Sequence, residues 1–421
     1  MQTTSVTKST DKVIRRRICR LCDGNKLEVV LHLTPTPLAD AYIPREQLAE
    51  TQEVYPLDLY QCHDCGFSQL LDVVQPQAIY FDYLYETKSS LGLVDHFKGY
   101  AAGTLQSLNP PEGSLVVDIG SNDGSLLSFF KSSGMRVLGV DPAREIAHRA
   151  TEGGIETWPT LFDTQLAGKI RAERGPARIV TANNLFANVD DLHDMAEGIR
   201  ALLAADGAFV FESFYLADLM QNMVFDFIYH EHISYFSVAP LMAFFKRHGM
   251  ELIDAQRVKT KGGSLRYTVQ LAGGPRKVSP KLGELISMEE ERGIGRPASF
   301  KEFNARIEAS KREVVDLLRK LRAQGETIAG FGASATTTTL IYHYGITDML
   351  DFIADDNPQR QNLFSPGKHI PVLSPKSLQD KKPDYLVILA WRYVEPIMQN
   401  LESYRKQGGK FIVPLPELIV L

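Results

Sequence analysis

Four cysteines constrain this chain most. They fall in two pairs, Cys19-x2-Cys22 and Cys62-x2-Cys65, with none left over. Two such knuckles present four thiolates to one tetrahedral metal, and four sulfur ligands leave no open coordination position for chemistry. The spacing predicts a structural zinc site at Cys19, Cys22, Cys62 and Cys65. Two disulfides or four free thiols are the competing arrangements; a reducing cytosol disfavours the first, and the strict pairing disfavours the second. The 39 residues at positions 23–61 exceed ordinary ribbon spacing. An inserted loop or strand pair must therefore bring the knuckles together.

A length of 421 residues predicts two or three domains. At 44% hydrophobic and 23% charged residues, the chain falls in the ordinary soluble globular class. Its 46 Lys and Arg face 51 Asp and Glu, a balance that argues against gripping nucleic-acid backbone as the main task. No apolar run reaches the roughly 18 residues of a membrane span. The start, MQTTSVTKSTDKVIRRR, is polar and then basic and holds no apolar stretch to act as a secretory signal, so none is expected. The expectation is a cytoplasmic enzyme, monomeric or a small homo-oligomer, with no nucleic-acid or membrane partner.

Beyond the knuckles the pattern changes. An aromatic stretch, YFDYLYETKSSLGLVDHF, leads into a helical run that stops at Asn109-Pro110-Pro111, a connector. SLVVDIGSNDGSLLSFFKSSGMRVLGVDPA then reads as a strand (115–119), a glycine turn, a helix from about Ser125 and a second strand (137–140). Further strands are predicted at 179–181 and 208–211, with a helix near 192–205. Alternation of this kind predicts a doubly wound parallel sheet. Residues from about 281 to 324 are charged and helix-prone, and read as one bridging helix ended by Gly325. A second α/β unit follows, with buried strand segments in TIAGFGASA, DFIADDNP, YLVILAW and FIVPLP.

Each α/β unit carries a cofactor signature. In the first, Asp118-Ile-Gly120-Ser121-Asn122-Asp-Gly124 sits where strand becomes helix, and Asp141 ends the next strand. Glycine there lets backbone and cofactor approach closely. A carboxylate at Asp141 can accept hydrogen bonds from two ribose hydroxyls. In the second, Gly330-Phe-Gly332-Ala-Ser334-Ala335 fits G-x-G-x-x-A, with Asp355-Asp356 about 25 residues on. Taken alone this suggests NAD. The threonines 336–339 that follow open a helix whose N-terminus suits a phosphate equally, so a nucleotide-sugar diphosphate is as good a guest.

Between the units lies the densest polar cluster, Tyr229-His230-Glu231-His232-Ile-Ser-Tyr235-Phe236. Two histidines, a carboxylate and two tyrosines suit general acid/base work, because histidine titrates near neutrality. Metal ligation is weaker, since no third ligand is evident. Lys261-Gly-Gly-Ser264-Leu-Arg266 places two cations beside glycines, which suits an anionic substrate or a solvated β-turn about equally.

Together these motifs resemble the sugar C-methyltransferases that act on nucleotide-linked 4-keto-deoxysugars. The resemblance spans about residues 15–421. It rests on the four-cysteine module, the DIGSNDG turn, YHEHISYF, KGGSLR, and GFGASA…FIADDNPQRQ…PGKHIPV. It implies three parts: a zinc-binding module (1–75), a class I methyltransferase Rossmann-like domain binding S-adenosylmethionine (76–280), and a C-terminal Rossmann-like α/β domain (281–421) that helps to bind the sugar nucleotide. It implies His232 as general base, with Glu231 and Tyr229 beside it and Tyr85 closing the site. Asp118, Gly120, Ser121, Asn122, Asp141 and Asn183 are the implied cofactor contacts. Lys261, Arg266, Gly332, Ser334 and Asp356 are the implied substrate contacts. Asn188 stands where the best-known members have histidine. An amide cannot act as acid or base at neutral pH, though it can hydrogen-bond a keto or enolate oxygen. A sugar O-methyltransferase and a NAD-dependent sugar dehydrogenase or epimerase remain as alternatives.

Overall fold

The computed structural model describes residues 13–75, 87–89 and 92–421. Its N-terminal part contains β1 (Val13–Arg15), β2 (Leu27–Thr36), β3 (Tyr55–Cys62), β4 (Ser68–Leu70) and β5 (Asp72–Val74). The long antiparallel pair β2–β3 registers Leu27 against Cys62. Of the loop or strand pair that the cysteine spacing left open, it is a strand pair that sets one knuckle beside the other. A fourth strand of this sheet comes from the next domain: Ser234–Tyr235 pairs antiparallel with β4.

The central domain is built on β6 (Leu115–Ile119), β7 (Arg136–Val140), β8 (Thr157–Trp158), β9 (Ala177–Asn183) and β10 (Leu203–Phe214). The borrowed strand is β11 (Ser234–Tyr235), and β12 (Met250–Val258) and β13 (Ser264–Leu271) follow. The sheet order is β12-β13-β10-β9-β6-β7-β8, parallel from β10 to β8, with β13 antiparallel to both its neighbours. β6 is buried along its whole length, and its side chains alternate between two cores. Val116 packs with Phe97, Leu127 and Phe130 on one face, whereas Val117 and Ile119 join Ile170 and Ile199 in the core on the other. The chain builds outward from β6 first to one side and then to the other. The carboxyl ends of β6 and β9 therefore form the topological switch point where such sheets bind ligands.

The C-terminal domain repeats the plan with β14 (Ile328–Phe331), β15 (Ile353–Ala354), β16 (Val372–Leu373), β17 (Tyr385–Ile388), β18 (Lys410–Val413) and β19 (Ile419–Val420). The order is β16-β15-β14-β17-β18-β19, with only β19 antiparallel. The expected fold class is borne out. The single bridging helix is not: the segment forms two helices, Lys281–Glu291 and Pro297–Ala323. Gly293 and Gly295, both at positive φ, and Pro297 at the first position of the second helix make the break. No helix among the described residues is long and apolar enough to cross a membrane.

Candidate active site

The four cysteine sulfurs converge. Cys19 and Cys65 Sγ lie 3.7 Å apart, Cys22 and Cys62 Sγ 3.5 Å apart, and all four atoms fall within 4.8 Å of one another. A tetrahedral zinc with bonds near 2.3 Å requires sulfur–sulfur edges of about 3.8 Å. No disulfide competes for them. Each knuckle turns back on itself through Asp23 N–H to Cys19 O and Gly66 N–H to Cys62 O, with Asp23 and Gly66 at positive φ. The donor set fits a closed structural zinc.

A cavity of about 1020 Å³ opens between the three domains. Its first end is the switch point. Gly120 has φ +73°, and a Cβ there would stand 3.1 Å from Leu185. Asn122, also at positive φ, donates its backbone N–H to Asp141 Oδ2 at 2.8 Å, and Ala143 N–H reaches Asp141 Oδ1 at 2.9 Å. The Asn122 side chain takes up work a glycine could not do: its Oδ1 accepts the Thr87 N–H at 2.9 Å. The buried Asp118 carboxyl accepts the Thr181 hydroxyl at 2.6 Å, and burial pushes it up to about 7. Burial also raises Asp141. Ser121 Oγ is buried at this wall with no hydrogen-bond partner among the described residues, and Asn183 lies in the same wall. Two desolvated carboxyls, an orphaned hydroxyl and a glycine with no room for a side chain fit a cationic, ribose-bearing ligand such as S-adenosylmethionine.

The second end is the turn 229–232. His232 Nδ1–H donates to Phe227 O at 2.9 Å, which fixes the tautomer and leaves the Nε2 lone pair free to accept. The Tyr229 hydroxyl donates to that Nε2 at 3.1 Å. The ring is enclosed by Phe214, Phe227 and Tyr229. Burial, with Lys261 second, pushes the imidazole down to about 3, so it is neutral at physiological pH. His230 faces away and donates Nε2–H to Pro56 O at 3.2 Å, against Tyr55 of the zinc module. Glu231 and Asn188 line the cavity, and Asn188 Oδ1 is buried with no hydrogen-bond partner among the described residues. Tyr85 lies outside the described residues.

Lys261 and Arg266 part company. Lys261, at φ +54°, lines the cavity; burial pushes it down to about 8, partly offset by nearby Glu231. Arg266 does not reach the cavity. Its guanidinium lies over Tyr100 and binds Glu212 Oε1 at 2.6 and 2.7 Å, while His96 holds Glu212 Oε2. The expected substrate contact is thus a largely buried ion pair, because the register of β13 on β10 sets Arg266 directly opposite Glu212.

The third wall is the C-terminal glycine turn. Gly332 has φ +101°, and a Cβ there would come within 2.5 Å of Ala390 Cβ. Ala333 N–H and Asn357 N–H both donate to the Asp355 carboxylate. This repeats the Asp141 arrangement atom for atom: a glycine-turn amide and the amide two residues on hold one carboxylate at the end of the second strand. Asp355 is therefore the buried acid of the fingerprint, and Asp356 lies exposed on the cavity rim. Ser334 Oγ bonds Thr336 Oγ1 at 2.9 Å. Sequence reasoning missed Arg392, which lines the cavity and ties Asp226 (2.8 Å) to Thr336 Oγ1 (3.1 Å). The available signal was its place just past β17, since parallel strands present ligands at their carboxyl ends.

Family models match the chain in three consecutive pieces. A zinc binding domain covers residues 19–80, a methyltransferase domain 95–255, and a C-methyltransferase C-terminal domain 259–416. The C-methyltransferase NovU of Streptomyces niveus is 34% identical over 400 residues, which is 95% of each chain. This chain belongs to the C-methyltransferase family. The resemblance read from the sequence is borne out, and S-adenosylmethionine and a structural zinc are the groups this C-methyltransferase uses. Solved structures similar to part of it include magnesium protoporphyrin IX methyltransferase from Synechocystis PCC 6803 with bound S-adenosylhomocysteine. That pair shares 16% identity over 42% of this chain and 83% of the other, at a TM-score of 0.34. The PH0226 protein of Pyrococcus horikoshii OT3 shares 14% identity over 44% of this chain and 94% of its own, at a TM-score of 0.37.

Proposed function

We propose that this C-methyltransferase methylates the carbon beside the ketone of a nucleotide-linked 4-keto-deoxysugar, at C3, through an enolate. The observation that carries the reading is the His232 Nε2 lone pair. It is held in one tautomer by the Phe227 carbonyl, it is met by the Tyr229 hydroxyl, and its ring belongs to the lining of the cavity shared by both glycine turns. A carbon becomes nucleophilic only when a neighbouring carbonyl acidifies its proton, and a 4-keto sugar has such a carbonyl. His232 Nε2 takes the proton, the C–H electron pair forms the carbon–carbon double bond of the enolate, and the carbonyl π pair moves onto the ketone oxygen. Asn188 and the Tyr229 hydroxyl, released from Nε2 as the carbon acid enters, hydrogen-bond that oxygen. Each such donor contributes about 3–4 kcal/mol in comparable oxyanion sites. Lys261 adds a positive charge close by, and Glu231 balances it when His232 becomes an imidazolium. Bound S-adenosylmethionine supplies the electrophilic methyl group. Asp118, Gly120, Ser121, Asn122, Asp141 and Asn183 would hold it. Gly332, Ser334 and Asp356, with Asp355 and Arg392, would take the nucleotide part.

Replacing His232 with Ala should lower kcat by roughly 10²–10⁴. Deuterium exchange from solvent into the acidic sugar carbon, with S-adenosylhomocysteine bound, should vanish in the same variant. Exchange that persists in His232→Ala but is lost in Tyr229→Phe would move the base to Tyr229.

A further inference from the structure

We propose that Arg20 is a positioning residue that fastens the zinc knuckle to the two segments carrying His232 and Asn188. Arg20 lies between Cys19 and Cys22, and its side chain is wholly buried. Its Nε donates to Asp190 Oδ1 at 2.9 Å. Its Nη1 donates to Gln69 Oε1 at 3.1 Å, to Leu70 O, and to Ile233 O at 3.4 Å. Ile233 directly follows the proposed base, and Asp190 lies two residues beyond Asn188. The same two segments are joined to each other by Ile233 N–H to Ala187 O at 3.0 Å, and to β4 by Leu70 N–H to Ile233 O at 2.9 Å. One guanidinium thus closes a ring of contacts through the knuckle, β4, the catalytic turn and the Asn188 loop. Arg16 adds a second hold on Asp190, at its backbone oxygen and at Oδ1.

A buried guanidinium is costly unless its charge and donors are met, and here the Nε and Nη1 donors are met only by these partners, which ties them together, whereas Nη2 is buried with no hydrogen-bond partner among the described residues. Four sulfurs on one metal would make the other end of this brace rigid. Catalytic groups need placement within about 0.5 Å, and an error of about 1 Å can cost 10²-fold in rate. The zinc module would then set the geometry of proton removal from outside the cavity wall that carries it out. The inference rests on the reading of His232 as base for its kinetic consequence, but not for its structural one.

The test uses the full-length enzyme carrying Arg20→Lys, which keeps the charge and loses the planar fork, and separately Asp190→Ala, which leaves the knuckle side chains untouched should the first variant fail to fold. The readouts are zinc per chain by elemental analysis, calorimetric affinity for S-adenosylhomocysteine, backbone amide exchange by mass spectrometry, and the kcat and KM of methyl transfer. The expected result is wild-type zinc and wild-type affinity, faster amide exchange in the peptides spanning 186–190 and 230–235, and kcat down roughly 10–100-fold with KM for the methyl donor unchanged. Unchanged exchange in both peptides overturns the proposal. So does a loss of cofactor affinity in step with kcat, which marks general damage. Amide exchange reports the brace whatever the base is, and the His232→Ala assay reports the base whatever the brace.

Discussion

Turnover should depend on pH through Lys261 rather than through the base. In a free enzyme, kcat/KM follows the groups of the unliganded site. His232 is pushed down to about 3, so it is already neutral and able to accept a proton across the working range. Lys261 is pushed down to about 8, so its ammonium is lost where an ordinary lysine would still be charged. If protonated Lys261 steadies the enolate, kcat/KM should be level from about pH 5 to 7 and should fall roughly tenfold between pH 7 and 9. Lys261→Met should remove that basic limb and lower the rate at pH 7 by about 10²–10³, the loss typical of one oxyanion partner. It should also raise the pKa of His232, because the cation that depresses it is gone. Initial rates of solvent deuterium uptake at the sugar carbon follow proton removal directly. A basic limb near 8 that survives in Lys261→Met refutes the reasoning, as does a wild-type acid limb near the ordinary histidine value. The same shift carries a stability consequence. Between about pH 8 and 10.5 the unfolded chain holds a proton that native Lys261 does not, so this group's contribution to stability rises with pH over that window.

Further outcomes are expected elsewhere in the molecule. Purified protein should contain about one zinc per chain, and a metal-stripped protein that remains folded and fully active would contradict a structural role. Asp141→Ala should weaken S-adenosylhomocysteine binding by roughly 1.5–3 kcal/mol in calorimetry, because the carboxylate would bind ribose and also holds Asn122 and Ala143 N–H. His230 lies outside the cavity with its pKa pushed down to about 4 by burial, so its native state stays neutral while the unfolded chain takes up a proton below about 6.5. Its contribution to stability is present above that value and is lost as the pH falls. Chemical denaturation of His230→Gln should therefore show a pH slope smaller by about 1 kcal/mol per unit between roughly pH 6 and 4.5. The C-terminal glycine turn should not bind NAD tightly, and hydride transfer by the purified protein would revive the dehydrogenase reading.

Much of this was legible because buried parallel strands leave short apolar runs between glycine turns, as in LVVDI and RVLGV. The zinc site was legible because ligand spacing is local. The two-residue strand β11 was not, since its place in the zinc module's sheet depends on a partner more than 160 residues earlier in the chain. The helix break at 292–296 was marked by Gly293, Gly295 and Pro297 but hidden by charged residues on both sides, which kept the run helical in character. Arg266 and Asp356 show a different limit. Composition brings Lys261 with Arg266, and Asp355 with Asp356, into one motif. Only the backbone separates the members of each pair: a left-handed turn brings Lys261 to the cavity while a strand keeps Arg266 from it, and paired backbone amides bury Asp355 in the cavity wall while Asp356 stays exposed on the rim. Arg392 carried no motif of its own, only a position at the end of a strand.

The central claim is that the methyl group arrives on a carbon made nucleophilic by proton removal. Its most direct test is to incubate the enzyme with a nucleotide-linked 4-keto-deoxysugar and S-adenosylmethionine bearing a 13C methyl group, in deuterium oxide, and to read the product by NMR. The account predicts that the labelled methyl carbon couples to a ring carbon beside the ketone, with the original proton at that carbon lost. A labelled methyl carbon attached to oxygen, with that proton retained, would contradict it.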